Sequence, residues 1–197
     1  MAEAHEQMEQ AEHAQHAAAS NRGIALLIAV LALFLSFSET LGKSAQTEAI
    51  SANVESSNLW AFFQAKTVRL TLVRTAAEAL KLEAAGAGDP AAKEAMDKQI
   101  EAWQKTAARY ESEPETNEGR KELAARAKEA EKSHEVALAK YHHYELASAA
   151  FQIGIVLCSA AIITGIVALA WLSGLIGVAG LGILALGLFA PHAVHLI

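Results

Sequence analysis

Leu146–Ile197 reads LASAAFQIGIVLCSAAIITGIVALAWLSGLIGVAGLGILALGLFAPHAVHLI, 52 residues without one Asp, Glu, Lys or Arg. A membrane-spanning helix needs about 20 mainly apolar residues to cross roughly 30 Å of hydrocarbon. The stretch is too long for one crossing and sufficient for two. Trp171-Leu172-Ser173-Gly174 offers the natural break, with Trp171 at a membrane interface, where an amphipathic ring is favoured. Upstream, a second apolar run begins at Gly23, and Ile24–Leu41 is just long enough for a third crossing. Spans are therefore expected near 23–41, 147–171 and 175–192.

The remaining residues are sorted just as sharply. Ser38–Glu145 holds 15 of the 16 basic and 18 of the 22 acidic side chains, a segregation that a bilayer imposes on sequence. Residues before Ile24 carry Glu3, Glu6, Glu9 and Glu12 against Arg22 alone, which argues against a cleaved signal peptide with its basic leader. The single cysteine, Cys158, lies in an apolar run and reads as a small buried hydrophobe at a helix contact. Lys43, Lys128, Lys132 and Lys140 flank the first two spans on the side of the charged segment, and only Arg22 opposes them. The positive-inside rule then puts the charged segment and the C-terminus in the cytoplasm.

The charged segment is rich in Ala, Glu, Lys, Leu, Gln and Arg, all strong helix formers, and has no sustained strand alternation. Gly86-Ala87-Gly88-Asp89-Pro90 ends one helix and opens another, with Asp89 as N-cap and Pro90 at the first helical position. Ser112–Gly119, containing Pro114 and Asn117, is a second break. Beyond it, Leu123, Ala127, Ala130, His134, Ala137, Tyr141 and Tyr144 step by fours and threes, and Ser148, Phe151, Ile155, Cys158, Ile162 and Gly165 keep the phase. Such a heptad predicts one unbroken helix from Glu118 to Trp171. On the first long helix, Ala61, Ala65, Val68, Leu72, Thr75, Ala79 and Leu82 read as a seam, with a second set, Leu59, Phe62, Phe63, Leu70, Val73, Ala77 and Leu80, beside it. Two stripes exceed what a two-helix hairpin buries. A third helix with the face Ala92, Met96, Ile100, Trp103, Ala107 and Tyr110 is expected over one stripe, and a second copy of the chain over the other.

The fold class that follows is an all-α integral membrane protein with three transmembrane helices, the first and second continuing into a long coiled-coil-like stalk. Its divisions are a polar tail (1–22), span one (23–42), the extramembrane stalk (43–146), span two (147–172), and span three with the C-terminus (173–197).

Candidate chemistry is sparse. His5, Glu9, His13 and His16 (with Glu12) share one arc of a helical tail, a spacing that can ligate zinc. His134 sits on the heptad seam, where a polar residue sets register. His142 and His143, beside Tyr141 and Tyr144, suit a membrane entrance. Glu39 and Lys43 form an expected juxtamembrane ion pair, or the mouth of a pore if copies form a ring. Ala150, Gly154, Cys158, Ala161, Gly165, Gly174 and Gly177 provide small-xxx-small faces for tight packing of membrane helices. Asp89/Lys93, Glu94/Lys98, Glu101/Lys105 and Glu122/Arg126 are expected surface pairs at i,i+4. The charged segment is net acidic, which opposes nucleic-acid binding. No nucleophile with its base, Walker sequence or His-Glu-x-x-His occurs, so neither catalysis nor a cofactor is expected.

Asn21-Arg22-Gly23-Ile24-Ala25, Ser36-Phe37-Ser38-Glu39 and the stretch from Ser57 to Lys66 (SNLWAFFQAK) resemble a bacterial family of small membrane proteins known as domain of unknown function 4337. The likeness covers nearly the whole chain and implies a bacterial inner-membrane location, but carries over no activity and no site. The expectation is a non-enzymatic homo-oligomeric scaffold or protein-docking surface in the lipid bilayer. An ion channel and an accessory subunit of a larger membrane complex are the alternatives.

Overall fold

The computed structural model describes the backbone of residues 2–191 and the side chains of residues 22–191. The tail residues His5, Glu9, Glu12, His13 and His16 therefore lie outside the described side chains. Four helices account for the chain: α1 (Ala2–Gly86), α2 (Pro90–Glu111), α3 (Arg120–Thr164) and α4 (Val167–Phe189), with no strand among the described residues. Stretches of α1 and α3 and the whole of α4 are long and apolar enough to cross a membrane.

Two units divide these helices, one formed by residues up to Glu48 and from Val136 onward, the other by Ala49–Glu135. In the first, apolar unit, the core joins Ile24, Leu31 and Ala45 of α1, Tyr144, Ala147, Phe151, Cys158 and Ala161 of α3, and Leu184 of α4. The buried face of α4 is Ser173, Gly177, Gly180, Leu184 and Gly187, a heptad with glycine at three of its five positions. Those glycines are sockets. A Cβ on Gly177 would stand 2.7 Å from a Leu31 methyl, on Gly180 2.9 Å from the Phe151 ring, and on Gly187 2.8 Å from the Tyr144 ring. Between helices that cross a membrane, close packing and internal hydrogen bonds would have to supply the association, because lipid tails are as apolar as leucine. Ser173 supplies the bonds: its hydroxyl donates to the Gly154 carbonyl at 2.7 Å and receives the Cys158 thiol at 3.1 Å.

The turn between the last two apolar helices is not where the sequence reading put it. α3 stops at Thr164, and Gly165 takes φ +73, a left-handed conformation that glycine adopts without steric cost. Trp171 is inside α4 and 79% exposed, while Ser173, expected in the break, is fully buried in the packed face. A serine and a glycine in sequence suggested a loop; in the fold both are helical, because the serine finds its partner on the facing helix. The α3 heptad accordingly ends at Cys158 and Ala161, with Ile162 and Gly165 exposed.

In the second, charged unit, Leu59 packs with Leu123, Ala127 and Ala130, flanked by Trp60 and Phe63. The α2 face is the expected one, with Ile100 and Ala107 buried and Ala92, Met96, Trp103 and Tyr110 half-buried. Asp89 caps α2 by accepting the Ala91 amide at 3.1 Å, and Pro90 follows it.

Candidate functional site

Within the charged unit the two stripes of α1 have opposite fates. The covered one is Ala49, Ala52, Ser56, Leu59, Lys66, Leu70, Ala77 and Ala84, joined by the half-buried Phe63, Val73 and Leu80. The stripe first read as the seam is uncovered: Ala61, Ala65, Thr75 and Ala79 are exposed, and Val68, Leu72 and Leu82 are 59%, 65% and 80% exposed. The covered stripe is the second set of the sequence reading, Leu59, Phe63, Leu70, Val73, Ala77 and Leu80 without the exposed Phe62. What that reading missed are Ser56, Lys66 and the alanines Ala49, Ala52 and Ala84, which bury little apolar area.

Lys66 is the least obvious member, 6% exposed and the one charged residue on that face. Its ammonium lies 5.4 Å from the Phe62 ring centre and 5.3 Å from that of Tyr110, with the Glu118 carboxylate at 3.8 Å. Arg120 has a similar setting: stacked over Phe63, it donates to Thr67 at 2.9 Å and to Glu111 at 3.1 Å. Charge over an aromatic face is attracted by the ring quadrupole, so these cations replace apolar side chains at modest cost.

The loop between α2 and α3 is locked by Glu122. Its carboxylate accepts the Ser112 hydroxyl at 2.6 Å and the Glu113 amide at 3.2 Å. The Ser112 bond holds the Glu122 carboxyl below the usual range, with burial opposing. Glu122 does not pair with Arg126, as its spacing had suggested; Arg126 donates to the Asn117 carbonyl at 3.4 Å. Glu94–Lys98 and Glu101–Lys105 do pair, each at 2.8 Å. Glu113 is likewise held low by Arg109, which donates to it at 2.7 Å.

His134 is half-buried, with Nδ1 donating to the Ala49 carbonyl at 2.8 Å; a carbonyl only accepts, which fixes that tautomer.

In the apolar unit, Glu39, Lys43, Tyr141 and Tyr144 line one recess of about 480 Å³ with Gln46, Glu145, Ser148 and Gln152. Glu39 and Lys43 are not an ion pair there. Glu39 is approached by the Gln152 amide at 3.5 Å, and no Glu39–Lys43 contact occurs among the six ion pairs of the described residues. The Glu145 charge raises the Tyr141 phenol above its ordinary range. Tyr144 is buried, and its carbonyl accepts the buried Ser38 hydroxyl at 2.8 Å.

His143 is 1% exposed, its Nδ1 bonded to the Ala139 carbonyl at 2.8 Å and its Nε2 without a partner. Its Cβ would meet a Cβ on Gly187 at 2.9 Å. Of the small residues expected at helix contacts, Gly154, Cys158, Ala161 and Gly177 are buried and Ala150 faces Gly180. Gly165 belongs to the turn, and Gly174 has no atom within 4 Å of a would-be Cβ. Gly180 and Gly187 complete the set; their heptad spacing from Gly177 was the available signal. No cluster of metal-ligating side chains occurs among the described residues.

Neither a curated protein nor a solved structure matches the chain. Residues 20–190 match the family described as Domain of unknown function (DUF4337), from just before the first apolar segment to just past the end of α4. The match takes in all three apolar segments and the whole charged unit, and the chain belongs to that family.

Proposed function

We propose that this protein is a non-enzymatic, membrane-anchored homo-oligomer whose charged helical unit forms a stalk that serves as a scaffold or docking surface in the cytoplasm of a bacterium. The observation that carries the reading is the uncovered heptad stripe of α1, Ala61 to Leu82, opposite a stripe that α2 and α3 already cover. A sustained apolar heptad in water is a helix-pairing surface, and membrane anchoring would set all copies parallel. The alanines in it favour close approach of helix axes, while Val68, Leu72 and Leu82 supply the apolar area. The inner-membrane location follows the bacterial family resemblance, and the cytoplasmic side follows the Lys and Arg next to the spans.

The mass of the particle in mild detergent tests the proposal. A multiple of 20.9 kDa is expected, and a monomer at high concentration would overturn it. The exposed Glu39 beside a polar recess supports a second reading, an oligomeric pore; reconstituted protein that passes no ions would exclude it.

A further inference from the structure

The apolar unit carries an open groove of about 1020 Å³ between the start of the α1 span and the first turns of α4. Ile24 and Leu27 form one wall, and Trp171, Leu175 and Val178 the other. Gly23 and Gly174 also line it, and a Cβ at either would meet no atom within 4 Å. No charged side chain lines it, and Leu175 and Val178 are largely exposed to it and to the surroundings. In hydrocarbon such a groove is filled by an apolar chain, not by water.

The charge at its edge selects the occupant. Arg22 directly precedes the lining residue Gly23, is exposed, and is the only Lys or Arg in the first 42 residues; residues 146–197 have none. The nearest acids in sequence are Glu12, ten positions before, and Glu39, seventeen after. α4 begins at Val167, one turn before the groove residue Ala170, and Ile166 gives it no side-chain cap, so the positive end of its dipole lies toward the same edge. A second copy docked symmetrically here would bring two Arg22 side chains toward each other. A lipid phosphate would instead neutralise the one present.

We propose that the groove binds an anionic phospholipid, an acyl chain lying along Ile24, Leu27, Leu175 and Val178 and the headgroup phosphate held by Arg22. This rests on α1, α3 and α4 being membrane spans and is independent of the oligomer reading. A lipid whose phosphate is already balanced by its own ammonium gains less from Arg22.

The test uses full-length protein from membranes shown to retain it at alkaline pH, so that failure of the span reading is seen first. After delipidation in detergent, phosphatidylglycerol or phosphatidylcholine is added and the retained lipid is counted by native mass spectrometry. Wild type is expected to retain phosphatidylglycerol about fivefold better, the size of one basic residue at an anionic surface. Arg22→Gln is expected to equalise the two lipids. Gly174→Leu, which fills the groove, is expected to lose both, and Gly182→Leu, at another open position of α4, to retain both. Equal retention of the two lipids by wild type, or undiminished retention by Gly174→Leu, would overturn the proposal. So would a symmetric disulfide between Leu175→Cys copies in a bilayer, which would give the groove to a second chain.

Discussion

The apolar and charged units both pack helices with heptad spacing, yet fill the heptads with opposite materials. In the apolar unit, large side chains enter glycine sockets: Leu31 against Gly177, Phe151 against Gly180, Tyr144 against Gly187. In the charged unit half of the buried positions on the covered face of α1 are alanine, and its contacts are finished by cations over rings and by a hydrogen-bonded loop. The difference is the one that membrane insertion of the apolar unit would produce. Lipid gives no hydrophobic drive between helices, so there only shape and internal bonds would select a partner. Water supplies that drive, but alanines collect little of it, so the edges carry more of the packing in the charged unit.

The largest effect is expected where a socket is filled. Gly187→Ala would press on both the Tyr144 ring and the His143 Cβ, which is too close to the backbone to swing aside. A loss of about 1–3 kcal/mol is expected from such overpacking, whereas Gly182→Ala, with open space around it, should lose nothing. Thermal unfolding in detergent compares the two; the gain in helix propensity is common to both, so an equal response at the two positions would mean that socket shape does not set the cost.

Gly119→Ala carries the same contrast into the charged unit. Its Cβ would collide with the Glu122 carboxylate and the Glu113 amide, and stand 2.7 Å from the Ser112 Cα. About 1–2 kcal/mol is expected, because the carboxylate can move and the loop backbone cannot. Hydrogen exchange should show the loss at the α2–α3 loop and not in α4.

The same loop should respond to acid. The Glu122 carboxyl has a folded pKa below its unfolded one, so its contribution is complete above the unfolded value, about 4.3, and is lost as pH falls through the folded value. Amide protection around Ser112 and Glu113 is expected to drop below about pH 4. Glu122→Gln should give weaker protection that changes less there, the remainder coming from Glu113, and an unchanged pH profile in that variant would assign the effect elsewhere. The smallest change is expected at the exposed Glu94–Lys98 pair, where Lys98→Gln should shift stability by about 0.2–0.5 kcal/mol at low salt and by less in high salt.

The sequence revealed the three apolar segments, the breaks at Asp89-Pro90 and Ser112–Gly119, and the packed face of α2, because apolar periodicity and capping are local signals. It concealed three things whose cause is tertiary. The turn is at Gly165 rather than Ser173-Gly174, since a facing helix satisfies the Ser173 hydroxyl. Glu122 reaches back to the loop instead of forward to Arg126, since two donors converge on it. The covered stripe of α1 contains Lys66, which hydropathy counts as surface until Phe62 and Tyr110 are seen around it.

The central claim is that the stripe left bare within one chain is closed by another. Cysteine cross-linking in native membranes addresses it directly, in a Cys158→Ala background that removes the one natural thiol. Leu72→Cys, on the bare stripe, is expected to form a disulfide-linked dimer at high yield, and Gln104→Cys, on the exposed side of α2, is expected to form little. Equal, low yields at both positions would contradict the account.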